Sequence, residues 1–97
     1  MSSQQAELSG RYAQRKSGVL TKQVSKEMVI VDIKQGIYHG LNTIGVQIWE
    51  QLDGKRSLSQ IADDLVEWYP EVERARIEAD TLTLIQALLD NDLVVAS

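Results

Sequence analysis

The sequence predicts an α+β domain in which a three-stranded antiparallel sheet is followed by three helices. Two observations predict it. From Val19 to Leu41 the chain is rich in β-formers and is interrupted twice by short polar turns. From Thr43 to Asp90 apolar residues recur at helical spacing instead, in three runs separated by Asp53-Gly54 and by Pro70. With 97 residues the chain suits one domain with a single modest core.

Residues 1–17 are dominated by Ser, Gln and Glu and show no period. They read as a flexible tail, ordered at most near Tyr12, which leaves 18–97 as the folded domain. Val19 to Ser25 alternates weakly, with Leu20 and Val24 on one face. Met28 to Lys34 is a stronger strand, with Val29, Val31 and Ile33 on one face and Asp32 and Lys34 opposite. Gln35-Gly36 makes a turn, because Gly36 accepts positive φ without strain. The third strand, Ile37 to Leu41, puts Ile37, His39 and Leu41 on one face and Tyr38 and Gly40 on the other.

Asn42 or Thr43 caps the first helix, whose stripe is Ile44, Ile48, Trp49 and Leu52. Asp53-Gly54 ends it. Ser57 opens the second helix, and Gln60 three positions on completes a capping box. Its stripe is Leu58, Ile61, Ala62, Leu65 and Val66, extended by Trp68 and Tyr69, and Pro70 stops it. Trp49 and Trp68 read as core residues. The third helix runs from about Val72 to Asp90. Ile77, Thr81, Leu84 and Leu88 line one edge, and Leu82, Ile85 and Leu89 the next. That arc is wider than one neighbouring helix needs. Leu93 to Ala96 forms a short extended end.

Composition removes several function classes. There is no cysteine, hence no disulfide, thiolate nucleophile or cysteine-bound metal. His39 is the only histidine, so one chain holds no multi-histidine metal site, and a lone strand histidine reads as a half-buried or surface residue. Asp63 and Asp64 are neighbours on a helix and point about 100° apart, unsuited to paired acid–base work. No glycine loop cradles a phosphate. A catalytic role and a cofactor are therefore not expected. No apolar run reaches the ~20 residues of a membrane span, and the polar start lacks a signal-peptide core. A cytoplasmic protein without a membrane partner is expected.

The net charge of −4 is unevenly spread. Residues 1–40 carry six basic and three acidic groups; residues 41–97 carry four basic and eleven acidic ones. This decides against nucleic acid. Three helices with a β-hairpin have the outline of a winged helix-turn-helix, which reads DNA through its third helix. Here Glu71 to Asp92 has only Arg74 and Arg76 against Glu71, Glu73, Glu78, Asp80, Asp90 and Asp92. Such a helix repels phosphate. A winged-helix DNA-binding regulator stays the alternative reading.

Peptide binding fits better. A three-stranded sheet has two open edges, and an edge beside an apolar helix can take an extended peptide by strand addition. The apolar surface of the third strand and third helix exceeds what a three-helix core requires. That excess either packs on itself or receives a partner; residue types alone leave both open.

One stretch carries a resemblance. Tyr38-His39-Gly40-Leu41-Asn42 is followed by a small residue at Gly45, the pair Ile48-Trp49, and the helix stop Leu52-Asp53-Gly54. In this order they resemble the PqqD-like family, the precursor-peptide recognition elements of ribosomal peptide natural-product (RiPP) pathways. Ser57 to Tyr69 and Ala79 to Val94 are similar to that family's second and third helices. The likeness covers roughly residues 19–96. The discrete modules of lasso-peptide pathways, the B1 proteins, look closest. A chaperone of the pyrroloquinoline-quinone type, serving a radical-SAM enzyme, is the runner-up.

The resemblance implies a leader peptide added as an antiparallel strand to the third strand and clamped by the third helix. It implies docking to a processing enzyme, such as a transglutaminase-like cysteine peptidase. Ile37, Tyr38, His39, Gly40 and Leu41 would then offer the edge, and Ile77, Thr81 and Leu84 the helical wall. Asp80 would meet a basic leader residue, and Lys22, Lys26 and Lys34 would attract acidic ones. Asn42 and Thr43 read as capping residues. A free edge also permits a homodimer.

Overall fold

The computed structural model describes residues 5–15 and 17–97. Along the chain run β1 (Arg11–Gln14), β2 (Val19–Val24), β3 (Glu27–Asp32), β4 (Ile37–Leu41), α1 (Thr43–Glu50), β5 (Asp53–Ser57), α2 (Leu58–Trp68), α3 (Arg74–Asp90) and β6 (Val94–Ala96). The fold is α+β. The predicted meander is present as β2-β3-β4, all antiparallel, with β2 and β4 as its edges. The β3–β4 turn places Gly36 at φ +67°.

A second antiparallel sheet, ordered β5-β1-β6, was not expected. Its central strand comes from the segment read as a tail, so the tail reading is corrected for residues 11–14. Tyr12 anchors that strand: its ring is buried in the core and its hydroxyl oxygen accepts the Glu7 amide at 3.0 Å. The rest of the lead-in follows the start of α2, where Leu58 N and Ser59 N donate to Gly10 O and Leu8 O. Residues 1–4 and 16, also read as tail, lie outside the described residues.

Register settles which face of β3 is inside. Met28 lies opposite Leu41, Ile30 opposite His39 and Asp32 opposite Ile37. Met28, Ile30 and Asp32 point inward and are buried, whereas Val29 and Val31 face outward. The sequence is apolar on both faces here, so alternation alone did not choose between them.

The helix starts follow their caps. Asn42 Oδ1 accepts the Gly45 amide at 2.8 Å. Ser57 and Gln60 form the reciprocal box, with Gln60 N donating to Ser57 Oγ at 3.2 Å and Ser57 N to Gln60 Oε1 at 2.9 Å. α3 begins at Arg74, two residues later than predicted, and α1 ends at Glu50 rather than Leu52. Ile30, Ile48, Trp49, Leu58, Ile61, Leu65, Ile85 and Leu88 form the centre of one core. Trp68, assigned to the core by its spacing, is 51% exposed. It sits on the last residue of α2, past the end of the buried stripe. No described helix is long and apolar enough to cross a membrane.

One ionic joint links the two sheets. Arg15, just after β1, donates through Nη2 to the fully buried Asp32 at 2.7 Å and through Nη1 to Asp92 at 3.0 Å. Burial works to raise the Asp32 pKa. Hydrogen bonds from the Gln35 amide and side chain and from Arg15, with the Arg15 charge, outweigh it and hold the carboxyl below its ordinary value.

Candidate functional site

β4 pairs with β3 on one side only, so among the described residues its other edge has no strand beside it. Along it lies a cleft of about 450 Å³ between β4 and α3. His39, Gly40 and Leu41 form the strand wall. Asp80, Thr83, Leu84 and Ala87 form the helix wall, and Ile44, Gly45 and Ile48 of α1, with Asn42, complete the lining. Gly45 lets α1 approach the strand end, since a Cβ there would meet Asn42 Oδ1 at 3.2 Å and Leu41 Cδ2 at 3.4 Å. Gly40 is different: a Cβ there would meet nothing within 4 Å. The chain's own packing therefore does not require glycine at position 40.

α3 divides into two stripes. Ile77, Thr81, Ile85 and Leu88 are buried in the core. Asp80, Thr83, Leu84 and Ala87, at i, i+3, i+4 and i+7, line the cleft. Of the residues expected at a leader site, the structure brings His39, Gly40, Leu41, Asp80 and Leu84 together along this cleft. It does not bring Ile77 and Thr81 there. Both are core residues, and Thr83, Ala87 and Ile44 take the places on the wall and floor that the sequence reading missed. Ile37 is half-buried on the inward face of β4, outside the cleft lining. Tyr38 is 73% exposed and points to the outer face of the meander.

The cleft's charge is modest. Asp80 is exposed and paired with Arg76 at 3.3 Å, an exposed helical pair of little energetic weight. Arg74 is tied to Asp63 at 2.6 Å and Glu78 at 2.9 Å, and these hydrogen bonds raise its pKa. Asp53 lies away from the cleft, where the Lys55 and Arg56 amides lower its pKa. Among the described residues no group of three His, Cys, Asp or Glu side chains is placed to hold a metal. An open strand edge over an apolar floor supports strand addition by an extended chain.

The family model for coenzyme PQQ synthesis protein D (PqqD) matches residues 27–94, well over half of the chain. This chain belongs to the PqqD family. Every residue lining the cleft falls inside the matched PqqD span, whereas β1 and β2 precede it. Two solved structures share this PqqD-family fold. One, described as TbiB1 in complex with the TbiA(beta) leader peptide, is 26% identical with a TM-score of 0.71, covering 84% of this chain and 93% of that one. The other, a lasso peptide synthetase B1 complexed with the leader peptide, is 28% identical with a TM-score of 0.75, covering 88% and 98%. No curated protein matches the chain.

Proposed function

We propose that this chain is a non-catalytic module of lasso-peptide biosynthesis. It binds the leader segment of a ribosomally made precursor and presents it to a maturation enzyme, a transglutaminase-like cysteine peptidase. The observation that carries this reading is the unpaired edge of β4 beside the β4–α3 cleft. Two similar proteins of the same fold, described with leader peptides bound, support it.

The leader adds antiparallel to β4. Backbone hydrogen bonds along residues 37–41 set its register, and Leu84, Ile44 and Ile48 receive its apolar side chains. Asp80 meets a basic residue. The module works by raising the local concentration of precursor at the enzyme, which needs no chemistry of its own. A short-strand interface of this kind suits affinities of roughly nanomolar to micromolar, about −12 to −8 kcal/mol. Without leader, the β4 edge is also where a second copy would pair, in competition with the peptide.

Titrating a synthetic leader into the labelled protein tests the reading. Amide shifts should concentrate in β4 and the cleft-facing turns of α3; shifts elsewhere and none there would refute it. Leu84→Arg should lower leader affinity at least about tenfold with the fold intact, since it puts a charge on an apolar wall. The DNA-regulator reading has less support, because both cations of α3, Arg74 and Arg76, are engaged by carboxylates. The family match itself favours the runner-up, a chaperone for a radical-SAM enzyme, only in the identity of the downstream partner.

A further inference from the structure

The meander has a second surface, opposite the core. Direct cross-strand partners share a face. The pairings Leu20–Val31–Tyr38 and Lys22–Val29–Gly40 therefore run across all three strands on the outer side. Four of the six large apolar side chains left exposed among the described residues belong to this sheet or its end: Leu20 at 60%, Val24 at 59%, Ile33 at 58% and Tyr38 at 73%. A contiguous apolar face of this kind on a small domain marks an interaction surface.

Charge and position identify what covers it. Lys22, Lys26 and Lys34 are all exposed around this face, none with an ion-pair partner among the described residues, and they outnumber Glu27, the exposed carboxylate opposite Val24. A two-fold dimer would press this net-basic patch on a copy of itself. A different protein with an apolar centre and a carboxylate rim fits instead. Position adds the second argument. A peptide antiparallel to β4 has its C-terminal end beside Ile37, where the Leu20–Val31–Tyr38 row crosses the sheet and Ile33 follows β3. The segment to be processed emerges there.

We infer that the outer face of β2-β3-β4, centred on Leu20, Val31 and Tyr38, is the docking surface for the processing enzyme. The inference rests on the leader-binding reading. That enzyme presents an apolar, acid-rimmed surface and is held next to the point where the leader's C-terminal end leaves β4.

Leu20→Glu and Lys22→Glu test it. Both positions lie on β2, the strand farthest from the cleft, and are exposed, so the fold should survive; thermal melts check this. Fluorescein-labelled leader measures the first step by anisotropy. The purified leader peptidase of the pathway, with its catalytic cysteine replaced, measures the second by interferometry on the full chain. Leu20→Glu should keep leader affinity within about twofold and weaken peptidase binding about tenfold or more. Lys22→Glu should weaken it less and reverse its salt dependence. Wild-type protein that binds leader while both variants hold the peptidase as tightly overturns the inference alone. So does wild-type protein that binds leader but not the peptidase. A dimer that Leu20→Glu dissociates, or binding to phosphatidylserine vesicles that it abolishes, also overturns it. Failure of the leader to bind at all overturns the functional reading instead.

Discussion

A carboxylate buried at the end of a strand is tolerated only if its lone pairs are filled, and those of Asp32 are. Besides Arg15, the Lys34 amide reaches Oδ1 at 3.1 Å, the Gln35 amide reaches Oδ1 at 3.2 Å and the Gln35 side chain reaches Oδ2 at 2.8 Å. Its folded-state pKa lies below the unfolded value. The stability it contributes is therefore full above the ordinary carboxylate range and is lost as pH falls through the depressed folded value. Asp32→Asn should flatten that acid limb of a stability–pH curve measured by urea unfolding; an unchanged limb would assign it to other carboxylates. Thr81 shows the opposite case. It is fully buried, and its hydroxyl has no hydrogen-bond partner among the described residues. Thr81→Val keeps the shape and removes the unpaired group, so it should stabilise by about 1 kcal/mol in urea unfolding. If Thr81 belongs to the helical wall of the leader site, as the sequence reading has it, affinity would change; its burial in the core predicts no change.

At the scale of elements, the difference between β1 and a tail is measurable. β1 is the central strand of its sheet, so deleting residues 1–17 unpairs β5 and β6 together and removes Tyr12 from the core. Losing a buried aromatic alone costs about 3–5 kcal/mol, a large share of the roughly 5–15 kcal/mol of a small domain. The truncated chain should melt far below the full one, and an unchanged melt would restore the tail reading. The reason β1 escaped notice is physical. The meander and the three helices are written in local periodicity, turns and caps, such as Gly36, Asn42 and the Ser57–Gln60 box. Asp53–Ser57 is short and polar, and Arg11–Gln14 pairs with partners some forty and eighty residues away, so nothing local marks either as a strand. The same limit blurred α3. Its apolar residues surround so much of the helix that spacing did not separate the core stripe through Thr81 from the cleft stripe through Leu84. β4 was legible because Gly36 and the capping Asn42 bracket it.

At the scale of the molecule, the question is what holds the meander, and with it the cleft's strand wall, to the sheet built on β1. Arg15 bonds Asp32 in the meander and Asp92 beside β6, while its amide donates to Leu93 O at 2.9 Å. One side chain thus spans three distant segments. Breaking a buried pair from one side leaves a desolvated charge, whereas replacing both partners with apolar groups can be nearly neutral. Arg15→Met should therefore lower the melting temperature more than Arg15→Met/Asp32→Leu does, even though the double variant removes more hydrogen bonds. The Lys34 and Gln35 amides that Asp32 releases lie in an exposed turn and can be satisfied by water. Leader affinity should follow the same order, because an unpaired buried carboxylate pushes the strand wall of the cleft away from the second sheet, whereas an apolar pair keeps the two packed. A double variant less stable than Arg15→Met would instead assign the joint to the Asp32 bonds with the β3–β4 turn, and leader binding would then be set by that hairpin rather than by the link between sheets.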